Sequence, residues 1–94
     1  MHEFLPLARQ ELLDATRWYL VDGGEPVNEQ FESAVHALCL LEFMPRLGRP
    51  GYPGVRTWPL KHFPYTLAYR VKGGVITVMA VAHQSREPGY WRGR

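Results

Sequence analysis

The sequence has little of what secreted, membrane-spanning or zinc-binding proteins need. It contains one cysteine, Cys39, so no intrachain disulfide can form, and a reducing cytoplasm is the expected compartment. No apolar run approaches the roughly 18 residues of a membrane span. The N-terminus carries an acid at Glu3 and does not resemble a secretory signal. The four histidines are scattered and fit no zinc spacing. We therefore expect no metal, no cofactor and no membrane partner.

Acidic residues are nearly absent from the second half of the chain. Residues 46–94 contain nine Lys or Arg and one acid, Glu87, for a net charge of +8. Residues 1–45 contain two Arg and eight acids, for a net charge of −6. Acids commonly solvate the outer faces of helices, so the acidic half has an ordinary explanation. The basic half indicates an anionic partner.

The first half of the chain predicts a strand and two helices. Ninety-four residues suffice for one domain, predicted to span residues 1–94. His2 to Leu5 predicts a short strand. Apolar residues then recur at helical spacing from Leu7 to about Val21 and from Pro26 to about Phe43. Asp22-Gly23-Gly24 separates the helices, because glycine adopts the left-handed conformations that a helix exit needs. The short break predicts an antiparallel αα-hairpin.

The second half predicts a loop and three strands. Three prolines and three glycines between Met44 and Gly54 indicate the loop. Strands are predicted at 55–60, 65–71 and 75–82, and the last is nearly all apolar, as a central strand should be. Gly73-Gly74 predicts a tight turn before it. The resulting order is β-α-α-β-β-β, an α+β fold in which the helical hairpin packs on one face of a small, mostly antiparallel sheet.

Polar and aromatic residues follow the last predicted strand. His83, Arg86, Tyr90, Trp91 and Arg92 stand at the mouth of a strand hairpin, which would hold them rigidly. Cations interleaved with aromatic rings suit a phosphate backbone or an acidic protein segment. The alternative is structural: a turn at positions 88–89 would pack the tyrosine and the tryptophan back on the sheet.

Four segments in order give the chain a resemblance to a known superfamily. They are ARQELLDATRWYL, LGRPGYPGVR, FPYTLAYRV and VMAVAHQSREPGYW. Over roughly residues 3–92 the chain resembles the RelE/ParE superfamily of bacterial type II toxins. The resemblance implies a small, stable toxin that a cognate antitoxin neutralises by wrapping a segment, disordered when free, around the hairpin and the sheet. The candidate anchors for that segment are Trp18, Tyr19, Trp58 and Arg70. Operator DNA would be bound only through the antitoxin.

One branch of the superfamily, the RelE-like branch, comprises ribosome-dependent mRNA endonucleases. Their chemistry needs a base, an acid and cations at the phosphate. His83, Arg86 and Tyr90 match that branch in residue type and are the catalytic candidates. The middle strands do not match it, because cations are expected at three positions that hold Trp58, Pro59 and Thr66.

The other branch, the ParE-like branch, poisons DNA gyrase by trapping a covalent cleavage complex. It needs a rigid binding surface rather than catalytic groups, and Arg86, Tyr90, Trp91 and Arg92 would supply one. The missing strand cations and the intact tail favour this branch, so we expect a toxin that is not an enzyme. Two alternatives stay open. One is the mRNA endonuclease, and the other is a non-toxic binding partner or corepressor of an antitoxin.

Overall fold

The protein consists of one sheet and two helical elements. A computed structural model describes residues 1–94. Its elements are β1 (His2–Phe4), α1 (Pro6–Val35), α2 (Ala37–Phe43), β2 (Arg49–Pro50), β3 (Arg56–Pro59), β4 (Tyr65–Lys72) and β5 (Val75–His83). The sheet has the order β1-β5-β4-β3-β2. β1 pairs with β5 in parallel, and the other pairs are antiparallel. The predicted α+β fold is confirmed.

α1 is folded back on itself at Gly24. The φ of 76° and ψ of −178° at this residue are accessible almost only to glycine. The ring centroids of Tyr19 and Phe31 lie 4.9 Å apart, whereas residues twelve apart in a straight helix are separated by about 18 Å. The two arms, residues 6–23 and 25–35, therefore form the predicted αα-hairpin. Neither α1 nor α2 combines the length and the apolar character that crossing a membrane requires.

The second predicted helix is divided at His36, which the apolar spacing did not indicate. α1 ends at Val35 and α2 begins at Ala37. The ψ of His36 is −7°, and the N–H of Cys39 donates to the carbonyl of His36, three residues back. This turn is tighter than an α-helical one. Leu38, two residues after this turn, is buried like Phe31 of α1, so the buried stripe continues from α1 into α2.

The predicted loop between Met44 and Gly54 is not entirely irregular. It contains β2, whose two residues pair with Thr57 and Arg56 of β3. Pro59 lies at the far end of β3, beyond the pairing with β2, where its missing N–H does not interrupt that ladder. β5 is an interior strand between β1 and β4, as its apolar sequence predicted.

Apolar side chains cover both faces of the sheet. The helix-side cluster joins both arms of α1 and α2 to alternate positions of β4 and β5, and it contains the fully buried side chains of Phe31, Leu67 and Val78. The tail-side cluster lies on the other face. Its buried members are Ala68, Met79, Ala80, Ala82 and Trp91. The C-terminal residues thus cover a face that the helices leave open.

Candidate functional site

The C-terminal tail, residues 84–94, follows β5 as a series of tight turns. Backbone N–H groups of Arg86, Tyr90 and Arg92 each donate to a carbonyl three residues back. Gly89 has a φ of 76°, a conformation that favours glycine and that sharpens the predicted turn. These turns direct the tail back over the sheet, so its side chains are held in fixed positions.

Trp91 is the buried side chain of the tail. It is 6% exposed and belongs to the tail-side cluster. Its ring packs against the edge of Tyr52, from the segment between β2 and β3, with the centroids 5.9 Å apart. Trp91 therefore packs back on the sheet, as the structural alternative for the tail predicted. A target would meet the residues around the indole rather than the indole itself.

Glu11 of α1 binds the tail at an open edge of β5. β1 covers that edge only as far as Val78. Beyond this point, Glu11 Oε1 accepts a hydrogen bond from the N–H of Val81 at 3.1 Å. Arg94 donates to the carbonyl of Met79 at 3.1 Å, and to the two oxygens of Glu11 at 2.8 and 3.1 Å. A pair of side chains thus replaces the ladder that a longer β1 would make.

The same carboxylate holds Tyr90. The Tyr90 hydroxyl donates to Glu11 Oε2, and the guanidinium of Arg86 lies over its ring, 4.0 Å from the centroid. Burial, followed by the hydrogen bond to Glu11, raises the pKa of Tyr90 to about 12. The phenol therefore keeps its proton at neutral pH, and its hydroxyl already donates a hydrogen bond to the carboxylate of Glu11. Such a group is poorly suited to general acid–base catalysis.

His83 is engaged by other partners. Its Nδ1 lies 2.8 Å from Ser85 Oγ and accepts a hydrogen bond from the N–H of Ser85 at 3.0 Å. Its ring packs edge-on against Tyr65, at a centroid distance of 5.0 Å. The structure thus brings Arg86 and Tyr90 into contact, and it leaves His83 with Ser85 and Tyr65. The three catalytic candidates do not form one set.

The cation of β3 is bound to the loop that precedes this strand. Arg56 is the only cation of β3, and its Nη1 donates to the carbonyls of Arg46 and Gly48, at 3.1 and 2.8 Å. Trp58 packs against the helix-side cluster, and Thr66 is half-buried on β4. Nor do His, Cys, Asp and Glu side chains gather in a group of three that could hold a metal ion.

The four candidate anchors for an antitoxin differ in exposure. Trp18, on the first arm of α1, is 62% exposed. Trp58 lines a cleft of about 810 Å³ between the second arm of α1 and the segment that follows β3. Tyr19 packs against the helix-side cluster beside Phe31. Arg70 is exposed on β4. Of the three aromatic candidates, Trp18 is the most exposed, and Tyr19 and Trp58 are both half-buried against the helix-side cluster.

An exposed apolar patch on the helical side escaped sequence reasoning. We call it the α2 patch; it consists of Leu40, Phe43, Met44 and Leu47. Phe43, at 87% exposed, is the most exposed of the four. Leu40 and Phe43 lie on α2, three residues apart, and Met44 and Leu47 lie in the segment that follows it. The helical spacing of Leu40 and Phe43 was the signal by which the α2 part of the patch could have been found.

Comparison with known proteins gives the chain its family. The family model described as "ParE toxin of type II toxin-antitoxin system, parDE" matches residues 3–88. Nine solved chains are similar to this one. One, from a chromosomal ParDE TA system of P. aeruginosa, is similar with a TM-score of 0.67 and 23% identity, over 87% of this chain and 92% of that chain. No curated protein matches the sequence. The predicted superfamily is confirmed: the chain belongs to the ParE toxin family of type II toxin–antitoxin systems.

Proposed function

We propose that this toxin binds DNA gyrase, traps the enzyme's covalent complex with cleaved DNA, and is neutralised by a cognate antitoxin. Gyrase poisoning is the activity of the ParE-like branch, and the chain belongs to the ParE family. Gyrase acts on chromosomal DNA, so the proposal requires the toxin to act in the cytoplasm. The toxin itself would break no covalent bond and would need no cofactor.

The engagement of Tyr90 is the observation that carries the proposal. Its hydroxyl is bonded to Glu11, and its pKa is raised by burial and by that bond to about 12. Arg56, the cation of β3, likewise already donates hydrogen bonds to two carbonyl groups of the loop before this strand. What the tail presents outward is two exposed guanidinium groups, those of Arg86 and Arg92, which lie over the rings of Tyr90 and Tyr52 at 4.0 and 4.6 Å. Arginines held in this way resemble the anchors of protein–protein interfaces.

The antitoxin would cover the helical side of the toxin. The outer surface of α1 exposes Trp18, and the α2 patch adds a second apolar area. Exposed apolar areas of this kind mark interaction sites on soluble proteins. A segment that folds on binding would gain apolar contact there, and acidic residues within it would be attracted to the basic half of the chain.

The test is a supercoiling and DNA-cleavage assay with gyrase and purified toxin, with and without antitoxin. Cleaved DNA should accumulate, and the antitoxin should prevent it. The double variant Arg86→Glu/Arg92→Glu should need at least about 10-fold more toxin for the same cleavage, because charge reversal removes both anchors. Arg9→Glu/Arg17→Glu carries the same charge change on α1, and gyrase should accumulate as much cleaved DNA with this variant as with the wild type. Truncation after Ser85 is unsuitable, since it would remove the buried Trp91.

Unperturbed gyrase from a protein that still arrests growth would contradict the proposal. The ribosome would then be the target, and His83→Ala and Arg86→Ala should abolish mRNA cleavage in primer-extension experiments. A protein that causes no growth arrest on induction would instead be a partner or corepressor of its antitoxin.

A further inference from the structure

We infer that the arginine-lined surface around the turn between β2 and β3 binds the phosphate backbone of duplex DNA directly. Two clefts flank this turn, residues 52–55. The first, of about 380 Å³, is lined by Arg46, Arg56 and Arg70. The second, of about 480 Å³, is lined by Arg70, Arg92 and Arg94. Arg70 lines both, so the two clefts form one continuous cationic surface, which we call the arginine surface.

Most of the arginines of this surface form no ion pair. No carboxylate lines either cleft. The ion pairs of the molecule join Glu42 to the N-terminal amine and His2, and Glu11 to Arg94. Arg46, Arg70 and Arg92 are therefore exposed cations without an ion pair, and Glu3 lines a separate cleft with Arg70. Like charges repel one another when they are concentrated on one surface, and an anionic partner removes that repulsion.

A repeated polyanion fits this arrangement better than a single small anion. Guanidinium groups present planar pairs of N–H donors that match phosphate oxygens. The arginines extend along both sides of the turn rather than converging on one point, as the two separate clefts show. A strand of nucleic acid offers phosphates in a row, so one strand can satisfy several arginines at once.

The aromatic residue of the surface favours a duplex over a single strand. Proteins that hold unpaired bases stack them on free aromatic rings. Tyr52 is the one aromatic residue that lines the two clefts. The guanidinium of Arg92 covers its face at 4.6 Å, and Trp91 packs against it at 5.9 Å. No ring is left for unpaired bases, and contacts to the backbone alone carry no sequence information. This contact is therefore distinct from operator recognition by an antitoxin.

The experiment measures the fluorescence anisotropy of a labelled 20-base-pair duplex of mixed sequence, titrated with purified toxin at 50 and 200 mM salt. No gyrase is present, so the result is independent of the proposed function. Three phosphate contacts, from Arg46, Arg70 and Arg92, give a slope of log K against log salt of about −2.7. Affinity should therefore fall about 40-fold over this range.

Two double variants with equal charge separate the arginine surface from net charge. Arg46→Glu/Arg70→Glu should bind the duplex at least about 10-fold more weakly at 50 mM salt, with a shallower salt slope. Arg9→Glu/Arg17→Glu changes the charge equally on α1 and should stay within about twofold of the wild type. If charge reversal disturbs folding, the milder variant Arg46→Gln/Arg70→Gln takes its place. It should reduce the magnitude of the slope of log K against log salt by about two.

Two results would overturn the inference. Equal weakening by both charge-reversal variants would mean that net charge alone attracts the duplex. Tighter binding of a single-stranded oligonucleotide, or of a polyglutamate peptide, than of the duplex would assign the arginine surface to unpaired nucleic acid or to an acidic protein segment.

Discussion

Tyr69 ties the segment after α2 to the middle of the sheet. It is fully buried on β4. Its hydroxyl donates to the carbonyl of Pro45 at 2.7 Å and accepts a hydrogen bond from the N–H of Gly48 at 2.9 Å. A Cβ atom at position 48 would lie 2.4 Å from that hydroxyl, so only glycine allows the approach. One side chain thus fixes the loop from which Arg46 reaches the arginine surface.

We predict that Tyr69→Phe lowers the free energy of unfolding by about 1–3 kcal/mol, because it leaves the half-buried carbonyl of Pro45 and the buried N–H of Gly48 without this partner. Urea unfolding measures the change. Tyr52→Phe is the matched control: Tyr52 is half-buried, its hydroxyl takes no part in these bonds, and its loss should be under about 0.5 kcal/mol. Equal losses in the two variants would show that the bonds of Tyr69 contribute nothing.

Tyr90 makes the stability of the fold sensitive to alkaline pH. Its pKa is about 12 in the folded protein and about 10 in an unfolded chain. Its contribution is fully present below pH 10. Between about pH 10 and 12 the unfolded chain loses the phenolic proton first, so stability falls as the pH rises. Tyr90→Phe should show a smaller fall between pH 9 and 11 in urea unfolding.

Part of the alkaline fall should survive in Tyr90→Phe. Burial also raises the pKa of Tyr19 and of Tyr65, so the folded protein disfavours the ionisation of these two tyrosines as well. A pH profile of Tyr90→Phe identical to that of the wild type would show that neither burial nor the bond to Glu11 raises the pKa of Tyr90 in the folded protein.

At the scale of elements, the reversal of α1 depends on Gly24. A φ of 76° with ψ near 180° is accessible almost only to glycine. We predict that Gly24→Ala costs about 1–3 kcal/mol, which lowers the thermal unfolding midpoint by at least about 4 °C in a chain of this size. Gly51→Ala is the control, because Gly51 has no positive φ and open space where a Cβ would stand. An unchanged midpoint for Gly24→Ala would mean that the two arms reverse without this conformation.

The elements that periodicity defines are those that the sequence predicts. Alternation marks β4, and spacings of three and four mark the arms of α1. β2 and the turn at His36 escape prediction for a physical reason. A strand of two residues, such as β2, is too short to show a period in its sequence. β2 pairs with β3, and Arg56 and Tyr69 hold the loop before it through hydrogen bonds that no local pattern predicts.

Glu11 had no signal in the sequence. An acid on a helix reads as part of a solvated face, and its partners Tyr90 and Arg94 are 79 and 83 residues away. For the same reason, the sequence could group His83, Arg86, Tyr90, Trp91 and Arg92 as one tail but could not divide them. The turn at positions 88–89 was visible in the sequence, but Tyr52, against which Trp91 packs, forms no pattern with the tail.

At the scale of the whole molecule, charge separates along the chain as the sequence predicts, and one ion pair, Glu11 with Arg94, joins the two halves. The helices contain most of the acids, and the sheet, its loops and the tail contain nine of the eleven Lys and Arg. The apolar part of the proposed antitoxin surface therefore lies on the acidic helices, and the arginine surface lies on the basic sheet and its loops. A molecule with this charge distribution turns its basic side toward a polyanion as it approaches.

The parallel pairing of β1 with β5 has a consequence for the timing of synthesis. His2 pairs with Ile76, and Arg94 binds Glu11. Contacts between such distant residues make folding slow. Both apolar clusters contain residues of β5. Neither cluster can therefore be completed during synthesis until β5 has left the ribosome.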